Sequence, residues 1–143
     1  MARKYKLADE IKRHTMKIEH LAIWVSDLEA TRHFYEHYFG AVCGERYHNP
    51  NKNFTSHFLS FDEGSRLELM HKPEITKASD STEEHLGFIH FALSVGSKEK
   101  VDAITEQLRT DGFQIPGEPR TTGDGYYESV IQDPEGNRIE ITI

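Results

Sequence analysis

Two histidine–glutamate pairs are the residues of this 143-residue chain whose types and spacing are suited to shared chemistry. His20 lies 48 residues before Glu68, and His90 lies 50 residues before Glu140. Two imidazoles and two carboxylates form a mixed nitrogen and oxygen donor set suited to Ni²⁺, Zn²⁺, Co²⁺, Mn²⁺ or Fe²⁺. Four protein ligands leave one or two positions on a five- or six-coordinate ion, and an open position is typical of a catalytic site. We therefore predict that these four residues bind one divalent metal ion.

The two pairs lie within an internal repeat. The sequence Ile-Glu-His-Leu-Ala-Ile-Trp-Val at 18–25 matches Phe-Ile-His-Phe-Ala-Leu-Ser-Val at 88–95. The sequence Asp-Glu-Gly-Ser-Arg-Leu-Glu-Leu at 62–69 matches Asp-Pro-Glu-Gly-Asn-Arg-Ile-Glu-Ile at 133–141. A repeat of this length indicates duplicated structural modules. The predicted fold is therefore α+β, with two tandem βαβββ modules that form a curved mixed sheet around a concave metal site.

Turn and capping residues divide the chain into these modules. Ser26-Asp27 and Ser97 can cap the starts of two helices, and Gly40 and Gly112 can end them. Alternating apolar runs predict strands at 17–25, 41–48, 54–61, 66–71, 87–95, 113–118, 125–132 and 137–143. The resulting division is an N-terminal extension at 1–15 and a single domain at 16–143, made of module one (16–71), a linker (72–86) and module two (87–143).

Strand alternation predicts that the four candidate ligands share one side of the sheet. Leu67 and Leu69 flank Glu68, so they must point to the opposite face of its strand. The same alternation holds around the other three candidates, and the aliphatic face is the one that a helix should cover. One such polar residue is common on a half-exposed sheet. Four that match in type, face and repeat position favour a shared site, because two inward carboxylates resist burial unless a cation neutralises them.

Composition excludes several classes of partner. A net charge of −7 and a pI near 5.7 argue against nucleic acid or an anionic membrane. No apolar run reaches the roughly 20 residues that span a bilayer, and the first 15 residues lack a secretory signal. Cys43 is the single cysteine, so no intrachain disulfide can form. These features predict a cytoplasmic protein.

With its paired modules and repeated ligands, the chain resembles the vicinal oxygen chelate superfamily over residues 16–143. That superfamily includes glyoxalase I, fosfomycin-resistance thiol transferases, methylmalonyl-CoA epimerases, extradiol dioxygenases and bleomycin-binding proteins. The terminal run Asp-Pro-Glu-Gly-Asn-Arg-Ile-Glu at 133–140 is specific to it. Within the superfamily, the loop Pro-Arg-Thr-Thr-Gly-Asp-Gly-Tyr-Tyr-Glu at 119–128 is similar to a bacterial glyoxalase-like branch.

The ligand set narrows what the resemblance implies. Bacterial glyoxalase I uses the order His, Glu, His, Glu, as at His20, Glu68, His90 and Glu140 here. Fosfomycin-resistance enzymes and extradiol dioxygenases use two His and one Glu, and the epimerases have Gln in the place of Glu68. The resemblance therefore implies metal-dependent proton transfer on a thiol–ketoaldehyde adduct. It assigns the role of base to Glu140, besides its role as ligand.

The pocket residues depart from that pattern. Bacterial glyoxalase I has an Arg and an Asn that help to hold glutathione, where this chain has Trp24 and Lys72. Trp24 offers an aromatic surface where the Arg of glyoxalase I offers a positive charge for glutathione. The sequence therefore leaves the identity of the thiol in the substrate undetermined. The predicted substrate-binding residues are Trp24, Met70, Arg120 and Tyr127.

The predicted function is that of a lyase or isomerase of the lactoylglutathione lyase type, with a small-molecule substrate. The alternatives are another metalloenzyme of the superfamily, an epimerase or a thiol transferase, and a small-molecule binding protein without turnover. The resemblance also implies a homodimer. The sequence leaves open whether the metal site closes within one chain or is built from the modules of two chains.

Overall fold

A computed structural model describes residues 17–78 and 83–143. The predicted extension at 1–15 and the start of the first strand at Met16 lie outside these residues. Along the described chain the elements are β1 (His20–Trp24), α1 (Leu28–Phe39), β2 (Val42–Cys43), β3 (Tyr47–Asn49), a 3₁₀ turn (Pro50–Lys52), β4 (Phe54–Ser60), β5 (Arg66–His71), β6 (His90–Ser94), α2 (Lys98–Thr110), β7 (Gly117–Thr121), β8 (Tyr127–Gln132) and β9 (Arg138–Thr142). The duplicated order of strand, helix and further strands is confirmed, with the second predicted strand divided into β2 and β3.

Local capping sets the helix ends where the sequence predicts them. The Asp27 side chain accepts a hydrogen bond from the backbone N–H of Ala30, and the Ser97 hydroxyl accepts one from the N–H of Lys100. Helix α1 ends at Gly40, whose φ of 65° lies in the left-handed region that favours glycine. These caps place both helices directly after the strands that carry the two histidines.

The strands form two mixed sheets, one per module. The first sheet has the order β1-β5-β4-β2 with β3 paired to β4, and the second has the order β6-β9-β8-β7. In each sheet the histidine strand lies at an edge and runs parallel to the glutamate strand, while the other neighbouring pairs are antiparallel. The predicted α+β fold of mixed strands is therefore confirmed. Its strands form two sheets instead of one continuous sheet within the chain.

The helix-covered face of each sheet holds the core. Leu67 and Leu69 are buried under α1, and Ile139 and Ile141 are buried in the second module. These four are the aliphatic neighbours of the two glutamates, so the alternation inferred from the sequence is confirmed. We call the opposite side of each sheet the ligand face. Neither helix of the described residues is long and apolar enough to span a membrane.

The Asp-Pro-Glu-Gly turn of module two packs against the start of helix α1. Asp133 is buried and accepts a hydrogen bond of 2.8 Å from the Tyr35 hydroxyl. The same carboxylate accepts the backbone N–H groups of Glu135 and Asn137, both at 2.9 Å. Burial raises the pKa of Asp133, and the surrounding donors act in the opposite direction. The turn therefore joins the two modules through a buried carboxylate.

Replacing this carboxylate should destabilise the protein. Asp133→Ala leaves the Tyr35 hydroxyl and two backbone N–H groups without their acceptor, so we expect a loss of roughly 3 kcal/mol in the free energy of unfolding. The matched control is Asp62→Ala, since Asp62 occupies the same place in the first repeat but is exposed. Its cost should stay within about 0.5 kcal/mol. Urea denaturation measures both, and equal losses would contradict this role for Asp133.

Candidate metal centre

The first ligand pair lies on neighbouring strands of module one. Nε2 of His20 lies 3.8 Å from Oε2 of Glu68. The other ring nitrogen, Nδ1, lies 2.5 Å from Oε2 of Glu19, and Arg66 donates a hydrogen bond to Oε1 of the same carboxylate. These hydrogen bonds from His20 and Arg66 hold the pKa of Glu19 below its usual value. A carboxylate on one imidazole nitrogen orients the ring and leaves the other nitrogen available as a metal ligand.

The second pair repeats this geometry in module two. Nε2 of His90 lies 3.1 Å from Oε2 of Glu140. Glu140 pairs with Ala92 across the parallel strands, just as Glu68 pairs with Ala22 in the first sheet. The repeat therefore places each glutamate in the same register relative to its histidine.

A second carboxylate lies beside Glu140. Glu128 on β8 is buried, and burial followed by its hydrogen bond to Glu140 raises the pKa of Glu128. Arg120 on the neighbouring strand lies 3.6 Å from Glu128. Two carboxyl groups this close resist ionising together, and a bound cation would favour the charged form of both.

The second pair has the separation that two ligands of one ion require, and the first pair is slightly wider. Ligand distances of about 2.0–2.2 Å place two adjacent donor atoms about 3.0–3.5 Å apart. The distances of 3.8 Å and 3.1 Å lie close to this range. All four side chains are partly exposed, so an ion could reach them. The donor set of each pair thus fits a divalent ion.

The chain does not gather the two pairs at one point. Within residues 17–78 and 83–143, no group of three or more His, Cys, Asp and Glu side chains is close enough to hold a metal ion. His20 and His90 both line a groove of about 470 Å³ between the edges of β1 and β6, but neither Glu68 nor Glu140 lines it. The described chain therefore presents the four candidate ligands as two separate pairs, and we call each pair a candidate half-site.

Aromatic side chains surround the first half-site. His20 packs edge-to-face on Phe58 at 5.4 Å between ring centroids. Further along the same face, Trp24 packs edge-to-face on Phe54 at 6.1 Å, and Tyr47 lies at the same distance from Phe54. Trp24 is 43% exposed, so its ring is available to a ligand. Trp24 also pairs in register with Met70, the other pocket residue predicted in this module.

The structure separates the two pocket residues predicted in module two. Arg120 lies next to Glu128 and so near Glu140, and its place in the pocket stays a prediction. Tyr127 lies on the opposite side of its strand: its hydroxyl donates to Asp102 of helix α2, and Lys98 lies over its ring. Because side chains alternate along β8, Tyr127 and Glu128 cannot share a face. This placement corrects the prediction for Tyr127, and we do not retain it in the pocket.

Two residues near the ligands were not predicted from the sequence. The predicted first strand includes Glu19, and side-chain alternation along it would place Glu19 on the face opposite His20. In the structure β1 begins only at His20, so alternation does not constrain Glu19, and its carboxylate contacts the His20 ring. Glu128 lies 12 residues before Glu140 in the sequence. The β8–β9 register pairs Glu140 with Val130, which places Glu128 diagonally beside it, two residues along β8. No local signal marks it, because residues 127–132 also contain the polar side chains of Ser129 and Gln132.

Comparison with known proteins tests the resemblance. A family model, described as the Glyoxalase/Bleomycin resistance protein/Dioxygenase superfamily, matches residues 17–141. The chain belongs to this superfamily. The match includes both ligand pairs and all the strands of the two modules except the last residue of β9. Members of the superfamily usually bind a divalent metal, and dimerisation is typical of them.

Individual members share a low but extended similarity with this glyoxalase-superfamily protein. A lactoylglutathione lyase of Haemophilus influenzae is 26% identical over 129 residues, which cover 87% of this chain and 90% of that protein. A possible glyoxalase from Bacillus cereus is 29% identical, with a TM-score of 0.66 over 90% of this chain and 100% of that one. A glyoxalase I variant from Zea mays is 25% identical, with a TM-score of 0.78 over 96% of this chain. This chain corresponds to only 48% of the maize protein's length.

Proposed function

We propose that the protein is a metal-dependent lyase or isomerase of the lactoylglutathione lyase type. In this proposal it moves a proton between adjacent carbons of a small substrate with vicinal oxygens, such as a thiol–ketoaldehyde adduct. The observation that carries the proposal is the pair of equivalent half-sites, His20 with Glu68 and His90 with Glu140. Similarity to a lactoylglutathione lyase and to glyoxalase I structures supports the choice of reaction.

Each residue has a defined part in this reaction. His20, Glu68, His90 and Glu140 would hold one divalent ion, of Ni, Zn, Co, Mn or Fe, as two neutral imidazoles and two carboxylates do. When bound there, the ion supplies Lewis acidity toward the substrate's vicinal oxygens. Glu140 would accept the proton from one carbon and return it to the next, since a positioned carboxylate can serve as base and then as acid. Glu128, hydrogen bonded to Glu140, would help to keep that carboxylate in place.

We further propose that two chains build each site. One chain supplies His20 and Glu68, and a partner copy supplies His90 and Glu140. Two observations support a symmetric dimer. The described residues bring together no more than a pair of ligands. The edge strands β1 and β6 also carry exposed apolar neighbours, Ile18 at 65% and Phe88 at 87% exposure, and such edges are surfaces where a second chain can pack.

The substrate pocket would extend from the ligands over the aromatic residues of module one. Trp24 and Met70 would form its wall, and Arg120 would lie at the module-two side near Glu140. An aromatic wall favours contact with flat or apolar parts of the thiol over recognition of a carboxylate. We therefore propose that the preferred thiol differs from glutathione in this part.

A metal and thiol panel tests the proposed reaction. Purified protein reconstituted with Ni²⁺, Zn²⁺, Co²⁺, Mn²⁺ or Fe²⁺ should isomerise methylglyoxal adducts of at least one thiol, and removal of the ion with a chelator should abolish the activity because the substrate oxygens then lose their Lewis acid. Glutathione and other low-molecular-weight thiols are compared by the rate of thioester formation. A folded, metal-replete protein without turnover on any adduct, or one that retains no divalent ion, contradicts the proposal.

Trp24→Ala tests the aromatic wall. We expect KM for the preferred adduct to rise about tenfold with little change in kcat, because the ring would contact substrate and transition state equally. Trp24 is the only tryptophan, so quenching of intrinsic fluorescence by a bound adduct gives an independent readout in the unmodified protein. The control Tyr126→Ala removes another exposed aromatic residue, outside the pocket. An unchanged KM for Trp24→Ala together with unquenched fluorescence rejects the wall.

A further inference from the structure

Helix α1 carries two histidines that the proposed centre does not use. His33 and His37 lie one helical turn apart, and both are exposed. Their rings are stacked, with centroids 5.7 Å apart and planes 18° from parallel. Residues four apart on a helix are surface neighbours, so this proximity follows from the spacing.

Their ring nitrogens distinguish these two residues from the other histidines. Among the histidines of residues 17–78 and 83–143, only His33 and His37 make no hydrogen bond or ion pair with a protein group. The others each have a polar partner, namely His20, His48, His57, His71, His85 and His90. Both residues are exposed, so their ring nitrogens are available to a ligand.

The helix that carries the pair is firmly held. Between the two histidines, Phe34 and Tyr35 are buried in the core. On the exposed side, Arg32 bridges Glu29 and Glu36 along the helix. A stable helix keeps two imidazoles at a constant separation, and such i, i+4 histidine pairs are a known way of binding zinc on a helix. The helix thus holds the two histidines one turn apart before any ion binds, and rotation about their side-chain bonds can turn both rings toward one ion.

The charge nearby also favours a cation. Asp111 accepts a hydrogen bond of 2.5 Å from Tyr38, and its carboxylate interacts electrostatically with His37. It is not close enough to form a three-ligand group with the histidines, since the described residues contain no such group. Water would complete the coordination of an ion held by the two rings.

We propose that His33 and His37 form a second metal site, which binds one borderline divalent ion such as Ni²⁺, Cu²⁺ or Zn²⁺ through two imidazoles. Imidazole donors prefer these ions over Mg²⁺ and Ca²⁺, which prefer oxygen ligands. The site lies on the helix that covers the sheet face opposite Glu68, so it is separate from the proposed centre. It does not depend on the proposed function.

Equilibrium dialysis against Ni²⁺ tests the second site in the full chain. The variant His20→Ala/His90→Ala disables the proposed centre, and it should still bind one Ni²⁺ per chain. Adding His33→Gln or His37→Gln should weaken that binding by about tenfold or more, because one imidazole alone loses the chelate effect. His48→Gln is the control, since His48 is also exposed but lies on strand β3 and is not part of an i, i+4 histidine pair on a helix. Circular dichroism checks that each variant is folded.

The unmodified protein and its single variants give a second readout. In proton NMR spectra, substoichiometric Ni²⁺ should broaden, besides any signals of His20 and His90, two imidazole signals that are missing from His33→Gln and His37→Gln respectively. Unchanged Ni²⁺ affinity in both variants, or equal weakening by His48→Gln, overturns the proposal. If His37→Gln instead removes all the Ni²⁺ that the unmodified protein binds, the second site stands while the proposed centre is shown not to hold Ni²⁺.

Discussion

Glu140→Gln is expected to lower kcat for the thiol adduct by about 10³-fold while leaving the divalent ion bound. Gln keeps an oxygen donor beside His90, whose Nε2 lies 3.1 Å from the carboxylate in the unmodified protein. It cannot accept and return a proton, so the loss should fall on the chemical step. Steady-state kinetics measures kcat, and elemental analysis of the same preparation measures the metal.

Two control variants separate the roles of ligand and base. Glu68→Gln makes the same chemical change at the equivalent position of module one, where the resemblance assigns no base. It should cost clearly less in kcat. His90→Ala removes a ligand outright and should lower metal content more than Glu140→Gln does. Equal metal loss in His90→Ala and Glu140→Gln, or equal kcat in the two Gln variants, would leave Glu140 without support as the base.

Co-expression of His20→Ala and His90→Ala chains should restore about a quarter of the unmodified activity, although each variant alone is inactive. In a symmetric dimer each site takes module one from one chain and module two from the other. A mixed dimer then contains one site with both substitutions and one site with none. Random pairing makes about half of the dimers mixed, so about a quarter of all sites are intact.

The control for this recovery uses two substitutions in the same module. His20→Ala with Glu68→Ala damages every site of a mixed dimer, so activity should stay absent. A site that closed within one chain would show no recovery with either combination, because every chain would carry its own damaged site. The comparison therefore distinguishes the two arrangements that the sequence leaves open.

Much of the fold could be predicted because its signals are local. Alternation along β5 and β9 places Leu67 and Ile139 on the buried face and Glu68 and Glu140 opposite, and the structure has them so. The cap at Ser97 was predicted for the same reason, since it depends on residues close in the chain. The internal repeat then extended each local prediction from one module to the other.

The placement of Tyr127 and the role of Glu128 could not be predicted, because both depend on contacts between residues that lie far apart in the sequence. Tyr127 was expected in the pocket, but strand phase in β8 directs it to Asp102 on helix α2. Glu128 was not predicted because no local pattern reveals which residues β8 places beside Glu140. Strand register is set by the packing of whole strands, so a single sequence carries it only indirectly.

By itself, the sequence determined the duplicated βαβββ modules, the type of each candidate ligand and the face of the strand on which each lies, because periodicity and repeats are properties of the chain alone. Only the tertiary structure decided that the candidate ligands of the described chain meet as two pairs, His20 with Glu68 and His90 with Glu140. It also decided that Asp133 joins the modules while Asp62 stays exposed. The physical reason is that distances between modules arise from packing, which brings together residues that lie far apart in the sequence.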